Sequence, residues 1–271
     1  MRTLAAALGV AIFAALAGCG ADAPPSQQTA GSAETAPSTS LPQSDEPVEL
    51  DPAQFTDKVT NPWFPLEPGT RWTYRETTED GEHLRVVVTA TTETREIANG
   101  VTARIVRDTV SLDGEVEEDT FDWYAQDSDG TVWYLGENTA EFKDGKVDTR
   151  EGSFEAGVDG ALPGVIMPAS PEPGMSFRQE YYKGQAEDHG EVLALDEQAS
   201  VPAGDYDGLL QTADTTPLEP DVLEHKYYAD GVGLVLTIDK EAGGREELLS
   251  VTQVSPAAAR SAGQAPLGEP Y

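Results

Sequence analysis

Glu180, Glu187, Asp188 and His189 are the side chains of this sequence best placed to move a proton or hold a cation. If the chain turns back on itself through Lys183-Gly184, Glu180 comes to lie beside the other three. Carboxylates grouped with an imidazole shift one another's pKa and offer oxygen and nitrogen ligands, the equipment of a carboxylate- or metal-dependent hydrolase. The plainer reading is a polar turn on an acidic surface. Glu155 and Asp159, set among glycines, form a second polar pair that either lines a backbone-rich site or pins its own loop to the sheet. Other catalytic patterns are missing. There is no Gly-x-Ser-x-Gly elbow and no glycine-rich loop ending in Gly-Lys-Ser/Thr. Asp127-Ser128-Asp129-Gly130 is similar to the start of a calcium loop, but its glycine falls too early and a hairpin turn explains it better. No motif calls for a cofactor, and no spacing names a metal.

Aromatic residues are the other chemical resource. Trp72, Trp123, Trp133 and Tyr134 lie in strand-like segments, and on a concave sheet face they can wall a pocket for a small apolar ligand. Trp123-Tyr124 and Trp133-Tyr134 flank the Asp129-Gly130 turn, so each pair sends one ring to each face and two rings can stack across the strands. Packing in the core is the competing reading.

The elements that must position these residues are strands. Arg71–Arg75, Leu84–Thr89 and Val101–Val106 alternate and are rich in β-branched and aromatic residues. Asp80-Gly81, Asn99-Gly100, Asp113-Gly114, Asp129-Gly130 and Asp144-Gly145 are hairpin signals at regular spacing. A stretch crowded with Gly and Pro, from Gly152 to Gly174, reads as one long irregular loop, and a second run of strands follows it. A short helix is expected over Pro52–Lys58, capped by Asp51. The fold class is all-β, an antiparallel meander forming a curved sheet, an open barrel or a barrel-like sandwich.

The only cysteine, Cys19, follows Leu16-Ala17-Gly18 and an uncharged apolar run behind Arg2. This arrangement resembles the signal peptide and lipobox of a bacterial lipoprotein. The apolar run is shorter than the roughly 20 residues a spanning helix needs. The expected organisation is a signal peptide over 1–18, an acylated Cys19 with a flexible tether over 19–47, a β-domain over 48–254 and a frayed tail over 255–271. Two acyl chains hold a protein stably on a bilayer, and a tether of this length reaches on the order of 30 Å. With 49 acidic and 17 basic residues the net charge is −32. Such a field repels polyanions, so nucleic acid is not an expected partner.

Further segments carry a family resemblance. Asn61-Pro62-Trp63-Phe64-Pro65-Leu66, Asp122-Trp123-Tyr124-Ala125-Gln126-Asp127, Val132-Trp133-Tyr134-Leu135-Gly136-Glu137 and Gly152-Ser153-Phe154-Glu155-Ala156-Gly157-Val158-Asp159-Gly160-Ala161 resemble a family of bacterial secreted proteins and lipoproteins with no established activity. The resemblance covers about residues 61 to 254. The expected protein is therefore a lipid-anchored, extracytoplasmic β-domain of the cell envelope, non-catalytic, binding a small apolar ligand or an envelope protein. The alternative is the hydrolase centred on Glu180, Glu187, Asp188 and His189. Labelling with a fatty-acid precursor is expected to mark the wild-type chain and to leave Cys19→Ser unlabelled. Equal label in both would remove the anchor.

Overall fold

Residues 41–271 are described by a computed structural model, so the expected leader, Cys19 and the tether up to residue 40 lie outside the described residues. A 3-10 turn at Pro52–Gln54 leads into β1 (Phe55–Thr56). Then come β2 (Thr70–Thr77), β3 (His83–Glu96), β4 (Thr102–Leu112), β5 (Glu115–Asp127), β6 (Val132–Lys143) and β7 (Lys146–Thr149). The turns between β2 and β7 form where the Asp-Gly and Asn-Gly pairs predict. Asp113 and Gly114 both take positive φ, 52° and 89°, as do Asp144 and Gly145, 53° and 69°. That is the backbone of a two-residue hairpin loop whose twist matches the strands it joins. At the β5–β6 turn Asp127 Oδ1 accepts from the N–H groups of Asp129, Gly130 and Thr131 at 2.9–3.0 Å, so the calcium-like motif is a capped turn.

The second run comprises β8 (Phe154–Glu155), β9 (Gly164–Met167), β10 (Ser176–Arg178), β11 (His189–Val201), β12 (Gly204–Thr215), β13 (Leu223–Ala229), β14 (Gly233–Asp239) and β15 (Arg245–Gln253), followed by α1 (Pro256–Gln264). All strands belong to one antiparallel sheet in the order β10-β11-β12-β13-β14-β15-β2-β3-β4-β5-β6-β7. Register shifts in the β3–β4, β4–β5, β5–β6 and β11–β12 ladders mark the bulges that let a long sheet bend. The result is a curved, unclosed sheet. Across its open seam, the Leu162–Tyr181 bridge links the β9 region to the segment after β10.

Four expectations need correction. The Gly152–Gly174 stretch is not wholly irregular, since β8 and β9 both pair with β6. All four residues of β9 are buried. Gly164 permits its approach, because a Cβ there would sit 1.9 Å from the Gln179 carbonyl oxygen. The Pro52–Lys58 helix shrinks to a single turn, capped by Asp51 Oδ1 on the Ala53 N–H at 3.0 Å, because Phe55 and Thr56 are recruited to pair with β5. The domain also starts earlier than residue 48. Arg178 is fully buried and needs acceptors, which the carbonyls of Ser44, Glu46 and Pro163 provide.

The C-terminal residues do not fray. Ser255 accepts from the Ala258 N–H at 3.2 Å, Pro256 opens α1, and Ala259 and Ala262 are buried against the outer face of the sheet. The lock is Arg107, wholly buried on β4. It pairs through two hydrogen bonds with Asp119 and donates to the carbonyls of Ala262, Ala265 and Pro266 at 3.0–3.1 Å. The Tyr271 ring lies 4.1 Å from its guanidinium carbon. Backbone carbonyls of small residues leave no trace in composition, which is why the segment reads as a tail. Arg107→Ala strands Asp119 as an unpaired buried charge and is expected to cost about 3–5 kcal/mol. Arg245→Ala, at a solvent-exposed ion pair with Glu247, is expected to cost under about 1 kcal/mol. Urea denaturation of the two variants measures the contrast.

Candidate functional site

The concave face of the sheet is where side chains of chemical interest collect. Alternation places Trp72, Tyr74 and Glu76 of β2 on it, with Val106, Asp108 and Val110 of β4 and Asp122 and Tyr124 of β5, all but fully buried. Cross-strand register then sets neighbours, with Glu76 opposite Glu246, Tyr74 opposite Leu248, Asp122 opposite Glu137 and Tyr124 opposite Tyr134. Between the last two pairs β5 advances two residues while β6 advances three. The extra residue is accommodated around Gly136, whose φ is 129° and where a Cβ would lie 2.3 Å from the Phe154 carbonyl oxygen. Strict alternation would send Tyr134 and Glu137 to opposite faces; the bulge brings both inward.

Tyr134 is the centre of the first cluster. Its ring stacks on Tyr124, centroids 4.9 Å apart. Its hydroxyl lies 2.7 Å from Asp122 Oδ1 and 2.8 Å from Glu137 Oε2. A phenol has one proton and ionised carboxylates only accept, so one of the two acids must be protonated and donate to the tyrosine oxygen. Burial pushes Asp122 up to about 7 even though the Tyr134 hydrogen bond pulls the other way. Burial and the Asp122 charge hold Glu137 well above the ordinary range, so Glu137 carries the proton.

A second cluster surrounds Lys226. Its ammonium lies 2.8 Å from Asp214 and 3.2 Å from Glu224. Burial favours the neutral amine, but the two carboxylates outweigh it and hold Lys226 well above its usual pKa. Asp214 also accepts from Gln179 at 3.0 Å and Thr212 at 3.0 Å. A third group, Glu76, Glu246 and Asp108, makes no ion pair among the described residues, although the Lys226 charge pulls Glu246 down a little. Burial, then the Glu224 charge, raises Glu76 to about 7; burial, then Glu76, raises Glu246 to about 8. Asp108 is held well above its usual value by burial and by Asp122 and Glu246.

Between these groups lies a cavity of about 40 Å³ walled by Phe64, Trp72, Tyr74, Tyr124 and Tyr228, with Asp108, Asp122 and Glu246 on its border. Trp72 Nε1 donates to the Val232 carbonyl at 2.7 Å and the Tyr74 hydroxyl to the Leu234 carbonyl at 3.1 Å. With those polar handles occupied, both rings turn apolar surface to the cavity.

The residues singled out in the sequence divide. The Lys183-Gly184 hairpin forms, and Glu180 and Asp188 do meet inside the sheet: burial, then the Asp188 charge, holds Glu180 well above its ordinary value, while burial raises Asp188 to about 7 against the pull of its hydrogen bond with Glu180. Glu187 and His189 do not join them. Glu187 caps its own turn by accepting from the Gly184 N–H at 2.6 Å. His189 follows Asp188 on a strand and so points to the opposite face. Glu155 is spent on Arg95 and on the Ala98 N–H, pinning its loop to β3, and Asp159 is an exposed turn residue with φ 50°. Of the aromatic set, Trp72 walls the cavity and Tyr134 anchors the carboxylate cluster. Trp123 is covered by Arg95, 4.1 Å from the ring centre, and Trp133 donates to Asp127 at 2.9 Å. Asp108, Glu246 and Tyr228 were missed. Their only sequence signal is an acidic or phenolic residue at an inward position of an alternating strand.

These features define an all-β protein with one open curved sheet and an acidic, aromatic-walled concave face. No protein-family model matches the sequence, and no curated protein matches it significantly. Among solved structures, the chain is similar to a protein of Bacteroides fragilis described as exported with a YmcC-like fold, at 16% identity over 70% of this chain and 99% of that one, TM-score 0.43. It is similar also to a protein of Parabacteroides distasonis described as a lipoprotein, at 13% identity over 70% and 98%, TM-score 0.37. A third is a β-barrel-like protein of the domain of unknown function DUF1849 from Brucella abortus, at 11% identity over 69% and 98%, TM-score 0.34. Among the described residues no helix is long and apolar enough to cross a membrane, and no group of three or more His, Cys, Asp or Glu is arranged to hold a metal ion.

The raised carboxyls give stability a definite pH dependence. Glu76, Asp122, Asp188 and Glu246 keep protons in the folded state up to about pH 7–8, whereas unfolded carboxyls lose theirs near pH 4. The folded state binds more protons across this window, so their contribution is fully present below about pH 4 and is lost as pH rises through 7 to 8. The urea midpoint is expected to fall between pH 5 and pH 8.5. Glu246→Gln should flatten the slope and add roughly 1–3 kcal/mol at pH 8.5.

Proposed function

We propose that this chain is a lipid-anchored, extracytoplasmic envelope protein whose β-domain binds a small apolar ligand in the cavity on its concave face. The observation that carries the reading is the cavity itself, where five aromatic rings converge from the segment before β2 and from β2, β5 and β13. A space of this size among rings is larger than most gaps in a packed core. Phe64, Pro65, Val88 and Leu234 are the half-exposed members of the wall and form its mouth. The Asn61–Leu66 segment over that mouth is irregular chain pinned at both ends: Asn61 donates to the carbonyls of Gly130 and Pro168 at 3.0 Å, the Pro62 carbonyl accepts from the Gly231 N–H at 2.8 Å, and the buried Leu66 donates its N–H to the Val59 carbonyl at 3.1 Å. The Leu16-Ala17-Gly18-Cys19 sequence supports the anchor, which would keep the domain within tether reach of the bilayer.

Neutral N-phenyl-1-naphthylamine is expected to bind saturably, with a rise in its emission. Val106→Phe fills the cavity and should weaken binding at least 10-fold. Val147→Phe, on an exposed position of β7, should leave binding unchanged. Thermal melts of both variants verify folding, and equal affinity in all three proteins would end the proposal.

A further inference from the structure

Asp108 presents a problem that the apolar-ligand reading leaves open. Its side chain is 4% exposed, and neither carboxylate oxygen has a hydrogen-bond partner. Glu246, also 4% exposed and on the same cavity wall, has an Oε2 without a partner. Buried polar atoms are almost always paired, and leaving one unpaired costs about 1–3 kcal/mol, more if it is charged. Other inward carboxylates are at least partly provided for: Asp122 has the Tyr134 hydroxyl, Asp214 and Glu224 have Lys226, and Glu76 and Asp188 each leave only one oxygen without a partner. Asp108 has none, and no basic side chain lines the cavity.

We propose that the cavity is a receptor for an organic ammonium group, with Asp108 as its counter-ion, Glu246 as a second acceptor and the rings of Trp72, Tyr74, Tyr124 and Tyr228 as its walls. The inference rests on the ligand-binding reading and names the chemistry of the ligand. An alkylammonium satisfies both kinds of wall at once. Its N–H groups donate to the orphaned oxygens, and its positive charge lies against aromatic faces, which attract cations through their quadrupole. A hard divalent cation needs six or more oxygen ligands at close range, whereas these walls are predominantly rings. The space admits roughly two or three water-sized groups, enough for an ammonium head while the apolar body extends towards Phe64 and Pro65. The net charge of −32 draws cations to the protein as a whole.

The test uses the full chain carrying Cys19→Ser, which removes the acyl acceptor and leaves the domain intact. Calorimetric titration with n-octylammonium, n-octanol and Ca²⁺ is compared for Asp108 and for Asp108→Asn. The expected result is octylammonium binding at least 10-fold tighter than octanol, with Asp108→Asn lowering octylammonium affinity at least 10-fold and octanol affinity less than 2-fold. Equal affinities for octylammonium and octanol overturn the ammonium inference and leave the apolar-ligand reading standing. Binding of neither overturns both. Calcium binding that Asp108→Asn abolishes, without octylammonium binding, replaces the organic cation by a metal. Should Asp108→Asn not fold, Glu246→Gln is titrated in its place, with at least a 3-fold loss for octylammonium alone expected; no loss overturns the proposal.

Discussion

The pairing of β15 with β2 is the constraint on which the rest of the molecule depends. Every other ladder along the main path of the sheet joins strands that follow one another in sequence. This one joins Arg245–Gln253 to Thr70–Thr77 and so makes one sheet out of two meanders. The concave face exists only because of it: Tyr74, Glu76, Leu248 and Glu246 meet across this ladder, and the cavity draws its lining from both sides of it. The same pairing sets Glu76 directly against Glu246, so the seam that builds the site is also where like charges are forced together.

Charge on this protein therefore has two separate roles. Most acidic side chains are at the surface and solvated, which is inexpensive. A minority are turned inward by strand alternation and survive by three distinct devices. Asp122 and Glu137 share a proton with the Tyr134 hydroxyl, Asp214 and Glu224 neutralise Lys226, and Asp119 grips Arg107 on the other face of the sheet. Asp108 uses none of the three. A group with both carboxylate oxygens buried and unpartnered, beside Glu76 and Glu246 with one such oxygen each, points to a partner from outside the fold.

Much of the architecture could be read from the sequence because it rests on local chemistry. The hairpins between β2 and β7 needed only Asp-Gly or Asn-Gly pairs, and the Tyr124–Tyr134 stack followed from their distance to one such turn. The site was less legible for two reasons. Glu187 and His189 sit beside Glu180 and Asp188 in sequence, but period-two geometry and a self-capped turn take them off the shared face. Glu137 and Tyr134 come together only through the bulge at Gly136, and Asp108 and Glu246 only through long-range register. Sequence proximity exaggerated one cluster and hid another. The docked C-terminus was invisible for a related reason, since Arg107 holds it by backbone carbonyls that any residue would supply.

A chain is made from its first residue to its last, and that direction bears on β2. Its hairpin with β3 can form early, but its other edge waits for β15, which lies almost at the end of the chain. At about 5–20 residues per second the wait is on the order of ten seconds or more, during which an apolar strand edge is bare. Arg71, Arg75 and Glu76 interrupt Trp72 and Tyr74 along this edge, and charged residues are what discourage a bare strand from pairing with a neighbouring chain. The residues that burden the finished seam with charge thus act as its guard while the partner strand is still being made.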